Sequence, residues 1–299
     1  EIDIGYGTVL DLVTNWSDFI TVVGIQADEA YLENITDEVA NLIGNGASED
    51  DIESLMEDIA ETKESLDERL GELTEEDYEE IFLQSGLGKP AVDKLLADGR
   101  VDKIDEYRDY YLMDKDYYCY RKGVFACHES ITDSTGEKIY NPDFADLQNG
   151  DIIVTLSIHS LGWRHGHATI VTDAERGEGV QAVMIGEKSN TSLVDSWTKY
   201  PLVAVLRPKN VREDARNQAG QYAEENLKGL YYSLFGGVFS GRNPDKPLTT
   251  TQCAHLVWYA YMTCGIDIAP ESGKIITPKD FLESENLEIV QIYGNITDL

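Results

Sequence analysis

From residue 150 onward the chain holds short runs of β-branched and aliphatic residues, each closed by a turn or breaking residue, before it switches to helical spacing. Asn149-Gly150 is a turn signal, and Asp151–Leu156 (DIIVTL) follows it as a buried strand. His167–Thr172 (HATIVT), Val180–Ile185 (VQAVMI) and Leu202–Arg207 (LVAVLR) repeat the pattern, and Pro208 ends it. A helix is predicted over Val211–Leu227. A Gly-rich loop with Phe235, Gly236, Gly237 and Gly241 then leads through Thr249–Thr251 into a strongly apolar helix from about Gln252 to Met262. Leu287–Tyr293 reads as a last strand. Several short strands plus helices make an α+β domain, with a small antiparallel sheet packed on helices.

The first part of the chain has a different texture. Residues 1–118 carry 33 acidic and 8 basic side chains, against 23 and 16 in the remainder. The predicted division is an acidic, mainly helical region over 1–118 and an α+β domain over 119–299. Val9, Leu10, Val13 and Trp16 recur at helical spacing. Ser48 is an N-cap candidate with Glu49, Asp50 and Asp51 in the first turn, and an apolar stripe runs from Ile52 to Leu73. A further helical stretch is expected from Ala91 to about Tyr111. The stripe is expected to pack as an ordinary helical hairpin, with a surface partner as the other reading. The tyrosines between Tyr107 and Tyr120 read as a junction.

Composition excludes several classes. With 42% hydrophobic and 27% charged residues the chain is globular. No apolar run approaches the ~20 residues of a spanning helix. A formal charge of −32 argues against nucleic acid as a partner. Four cysteines are too few for a disulfide framework, with at most a local Cys119–Cys127 pair.

Chemistry concentrates in two places. Cys253, in TTTQCAHLVW, falls on the first turn of the apolar helix, where unpaired N–H groups and the helix dipole favour thiolate. The threonines before it are N-cap candidates. Cys264, near the far end of that helix, is a structural thiol on the same reasoning. His167 opens a strand in WRHGHATIV, a rigid platform from which an imidazole can take a thiol proton. His165, two residues earlier, shares its face if the strand is continuous through Gly166. A third group must orient the imidazole. Gln181 on the next strand can accept its N–H, with Glu178, Glu187 and Asp173 as alternatives. Tyr231, Tyr232 and Trp258 are candidate pocket walls, with core packing as the competing role. His165, His167, Cys253 and His255 are metal-ligand types, but no CxxC or HExxH spacing occurs, and His255 points about 200° around the helix from Cys253. Neither a metal nor another cofactor is expected.

The order LQNGDIIVT, WRHGHATIV, VQAVMIGEKSNTSLVDSW, VAVLRPK, TQCAHLVWYAY and ITPKD resembles the circularly permuted branch of the NlpC-like cysteine peptidase superfamily, the YiiX/YaeF-like group. The resemblance covers residues 147–293 and implies a permuted papain-like core. It assigns Cys253 as nucleophile, His167 as general base and Gln181 as the third member, where the family usually shows Glu. Ala254 stands where Ser is frequent.

The implied activity is acyl transfer to water at an amide bond, on peptides derived from the bacterial cell wall. The implied alternatives are a hydrolase or acyltransferase for lipid-like acyl substrates, and a binding module that has lost activity. A wall substrate implies a secreted or surface location. A chain starting at Glu1 rather than Met fits a leader removed or left out.

Overall fold

The computed structural model describes residues 73–121, 126–160, 163–234, 236, 248–273 and 275–294. The helical expectations for Val9–Trp16 and for Ser48 onward lie outside these residues. Among the described residues three helices come first: α1 (Glu75–Ser85), α2 (Lys89–Ala97) and α3 (Asp102–Leu112). Strands β1 (Asp116–Arg121), β2 (Ala126–Thr132), β3 (Lys138–Ile139), β4 (Ile152–Thr155), β5 (Ile158–Ser160), β6 (Trp163–Arg164), β7 (His167–Asp173), β8 (Glu178–Gln181) and β9 (Asn190–Leu193) follow. A short 3-10 turn, Val194–Trp197, leads to β10 (Val203–Pro208) and α4 (Glu213–Asn226). The chain continues through β11 (Tyr231–Tyr232), β12 (Thr250–Thr251), α5 (Cys253–Thr263), α6 (Pro278–Leu282) and β13 (Leu287–Tyr293).

Among the described residues the central element is a six-stranded sheet in the order β13-β10-β4-β7-β8-β9, antiparallel throughout. Both of its faces are covered, which is why DIIVTL and LVAVLR read as unbroken apolar runs rather than alternating ones. Alternate residues separate two cores. Ile152, Val154, Ile170, Val180 and Leu206 pack against Ala219, Ala223, Leu256, Val257 and Ala260 of α4 and α5. Ile153, Val171, Val203, Val205 and Val290 pack against Val92, Leu95, Ile104 and Tyr107 of α2 and α3 and against Leu87 between α1 and α2. Each fully buried aliphatic side chain contributes roughly 1.5–3 kcal/mol. The change in charge at 118 therefore marks no break in packing, because α1–α3 complete one side of the sheet.

Local signals explain how those helices dock. Thr74 and Asp77 form a capping box at the start of α1, and Gly86 ends it at φ +73°. Gly86-Leu87-Gly88 then pairs along β13: Gly88 N–H donates to Val290 O at 2.8 Å and Ile292 N–H to Gly86 O at 2.8 Å. A Cβ at Gly88 would fall 1.8 Å from Ile289 O, so only glycine permits this approach. The segment covers an otherwise open sheet edge. The single helical stretch expected over Ala91–Tyr111 is two helices, since Gly99 takes φ +64° between them.

The tyrosine-rich stretch is not a simple junction. Residues 116–121 form β1 of a second sheet, order β1-β2-β5-β6 with β3 also on β2. Cys119 lies opposite Glu129 and Cys127 opposite Arg121, and Cys127 is free, so the local disulfide does not form. The third expected strand is shorter than its apolar run. β8 stops at Gln181, and Val183, Met184 and Ile185 leave the sheet with exposed side chains. No helix among the described residues is long and apolar enough to cross a membrane.

Candidate functional site

The site begins with the cap of α5. Gln252, not a threonine, is the N-cap, in extended backbone at φ −127°. The threonines are drawn away: Thr250 and Thr251 pair in parallel with Tyr231 and Tyr232 as β12. Gln252 Oε1 accepts from the Ala254 N–H at 2.9 Å, and its Nε2 donates to Ile276 O at 2.5 Å. The ITPKD segment, whose Thr277–Asp280 capping box starts α6, thereby anchors the mouth of α5.

Cys253 lies buried on the first turn of α5. Its thiol donates to Gln252 Oε1 at 3.5 Å. Burial pushes the thiol up to about 11, while N–H groups of Ala168, Ala254 and Cys253 itself work in the opposite direction. The amide of Ala168 ties the sulfur to β7, since Ala168 directly follows His167. The thiol and the imidazole are not hydrogen-bonded to each other in this resting geometry.

His167 opens β7. Val180 pairs with Ile170, which sets Gln181 one step beyond, on the diagonal from His167 and on the same face. His167 Nε2 and Gln181 Oε1 lie 2.7 Å apart. An amide oxygen only accepts, so the imidazole proton sits on Nε2 and Nδ1 keeps its lone pair. Burial lowers His167 to about 4, the Gln181 bond opposes this, and His165 and Lys199 add to the lowering. The imidazole stacks on Trp197 with 5.1 Å between centroids and 6° between planes. Trp197 carries no role in the reading above. Its signal is one large aromatic in the otherwise polar segment DSWTK.

The other predicted residues fall into place by their neighbours. Tyr232 is half-buried and close enough to Cys253 for the sulfur's charge to raise its hydroxyl further, beyond the larger effect of burial. Tyr231 is exposed beside it. Trp258 is not a pocket wall: it is 1% exposed, and its indole N–H donates to Asp267 at 2.9 Å. Five positions around a helix rotate it about 140° from Cys253, into the core. His165 is off β7, because Gly166 at φ +70° breaks the strand, and its Nδ1 lies 2.7 Å from Gly166 O. Asp173 and Glu178 sit at the far end of the β7–β8 hairpin, where both pair with Arg176. Glu187 is exposed in the loop after β8. None of the three carboxylates orients His167.

His255 is buried on α5 with Nδ1 3.2 Å from Thr251 Oγ1, and burial lowers it to about 4. Cys264 caps the other end of α5, half-buried, with its thiol raised by burial. No group of three metal-ligating side chains occurs among the described residues. A cavity of about 270 Å³ lined by Asp143, Phe144, Arg176 and Asp195 lies by the hairpin's far end and touches none of Cys253, His167 or Gln181.

No family model matches the chain, and comparison with curated proteins and with solved structures gives no match either.

Proposed function

We propose that this protein is a cysteine hydrolase that cleaves an amide bond by acyl transfer to water, on a permuted papain-like core. One observation carries the reading: a buried thiol at a helix N-terminus is tied to the strand whose first residue is an imidazole held by an amide oxygen at 2.7 Å. Those are the parts that thiol-based acyl transfer requires.

In the mechanism His167 Nδ1 takes the Cys253 proton as the sulfur attacks the carbonyl carbon. The oxyanion is met by backbone N–H groups at the start of α5. His167 then gives its proton to the leaving amine, and water resolves the thioester. Both groups start neutral, because burial raises one and lowers the other. Proton transfer is thus coupled to attack rather than completed beforehand. Contacts between nucleophile and base are often long in apo sites and shorten in the substrate complex.

The proposed substrate is a peptide derived from the bacterial cell wall, which places the protein outside the cytoplasm. A second reading, an acyl ester or amide with a lipid-like chain, draws on the site's rim. Val183, Met184 and Ile185 follow Gln181 after the buried Ala182, and Tyr231 and Leu234 lie on either side of Tyr232, all five exposed. The two segments are joined by Tyr232 N–H donating to Glu187 O at 3.1 Å.

The test is wild type against Cys253→Ala on purified cell-wall fragments and on long-chain acyl amides, read by mass spectrometry. Cleavage of either by wild type alone supports the mechanism and selects the substrate. Equal rates in the two proteins exclude Cys253 as nucleophile.

A further inference from the structure

We infer that Trp197 is a positioning residue for His167, whose indole face adds to the stabilisation of the imidazolium formed during turnover that the uncharged Gln181 supplies through its hydrogen bond alone. The inference builds on the Cys253–His167 reading, but its decisive test does not depend on that reading.

The geometry restricts what the imidazole can do. The Gln181 bond lies at Nε2 and fixes the direction of one edge. The parallel indole fixes the plane. Trp197 is itself 2% exposed and is met edge-on by Tyr200 at 5.8 Å and 76°. Tyr200 is met edge-on by His128 at 6.0 Å and 89°. The indole is therefore wedged and cannot swing away from His167.

Electrostatics give the stack a task. When His167 takes a proton it becomes a cation in a place where burial disfavours charge. The groups facing it are Gln181 from β8, His165 from the turn before β7 and Lys199 after the 3-10 turn. Gln181 is neutral, and His165 and Lys199 both oppose a positive charge. No carboxylate stands among them. Beside the Gln181 hydrogen bond, the electron-rich face of Trp197 is a further source of stabilisation. A desolvated cation–π contact is large enough to change a protonation constant by about tenfold.

The alternative is that Trp197 only fills space, and the two roles predict opposite signs. Removing a filler lets water reach the imidazole, which raises its titration midpoint. Removing a π donor lowers it. The measurement is an NMR titration of His167 in a Cys253→Ala/Gln181→Glu background. That background removes the coupled thiol, and the introduced carboxylate lifts the midpoint toward the range where the fold is intact. Adding Trp197→Leu is expected to lower the midpoint by about one pH unit, and Trp197→Phe by less. Site-specific replacement of Trp197 by ring-fluorinated tryptophans keeps the shape and thins the π density. It is expected to lower the midpoint stepwise with fluorine count, and it decides the matter if the leucine variant does not fold. A midpoint that rises, or one that stays level across the fluorinated series, overturns the inference. With Cys253 and Gln181 intact, Trp197→Phe is expected to lower kcat several-fold at unchanged KM. Inert Cys253 in wild type would defeat the hydrolase reading while leaving the titration result standing.

Discussion

Two buried polar clusters in this molecule follow opposite rules. On β10, Arg207 is 8% exposed at its side chain and bonds Asp146 at 2.7 Å and Asp151 at 2.8 Å. One guanidinium meets two carboxylates there, and the pairing keeps it protonated despite burial, while burial raises Asp151. Cys253 at the mouth of α5 and His167 at the start of β7 are equally enclosed, yet neither carries a charge. Burial holds the thiol and the imidazole neutral, about 11 and about 4. The first cluster keeps its guanidinium charged because two carboxylates face it. The second is poised for a change of protonation, because a single proton moved from sulfur to nitrogen creates an ion pair where none existed. Paired buried charge serves structure, and unpaired buried titratable groups are where chemistry is sought.

That contrast fails most visibly at the nucleophile. Cys253→Ala is expected to reduce turnover by at least about 10⁴-fold while leaving the fold intact, checked by kinetics beside circular dichroism. The paired cluster should show the reverse. Arg207→Met strands two buried carboxylates and is expected to cost about 3–5 kcal/mol by denaturant unfolding, with kcat per folded molecule near wild type. Selective loss of kcat in Arg207→Met, with stability unchanged, would erase the distinction.

Acid provides a third and smaller test. His167 and His255 have folded values near 4 against 6.5 for the free side chain. Lowered folded values mean that the unfolded chain binds protons first. Their contribution is therefore complete above about 6.5 and is lost as pH falls toward 4. It amounts to at most about 3 kcal/mol for each. Thermal unfolding followed from pH 7 to 4 should show this slope, and His255→Leu should flatten it. The smallest expected effect sharpens the comparison by importing a charge. Gln181→Glu places a carboxylate on His167 Nε2 and is expected to raise the imidazole by one to two pH units. The resulting change in rate at neutral pH should be within about tenfold, read from pH–rate profiles.

Much of the central sheet can be read from residue order. Asn149-Gly150, the runs after it and Pro208 mark β4, β7 and β10, because strands buried on both faces leave continuous apolar text. The same logic misleads at VQAVMI, where an apolar run continues past the end of β8 into exposed rim. The second sheet was not legible: β2 (ACHESIT) mixes polar and apolar types without a buried face to set a period. The docking of α1–α3 was hidden by their acidic outer faces, which suggested a separate region. Of the candidate residues, Cys253, His167 and Gln181 were legible from their places on predicted elements, with Gln181 singled out from Glu178, Glu187 and Asp173 by the resemblance. Trp197 was not, because stacking across a sheet depends on tertiary approach that no local pattern encodes. Trp258 shows the converse, an aromatic near the nucleophile in sequence but turned into the core by helical rotation.

The most direct test of the Cys253–His167 partnership is the pH dependence of Cys253 acylation by a small activated ester, in wild type and in His167→Ala. Coupled proton transfer to a neutral imidazole requires a wild-type rate that is level through neutral pH and falls only toward about 4. It also requires a His167→Ala rate that is far lower and climbs tenfold per pH unit toward about 11. Superimposable profiles, both climbing as a solitary thiol does, would contradict the account.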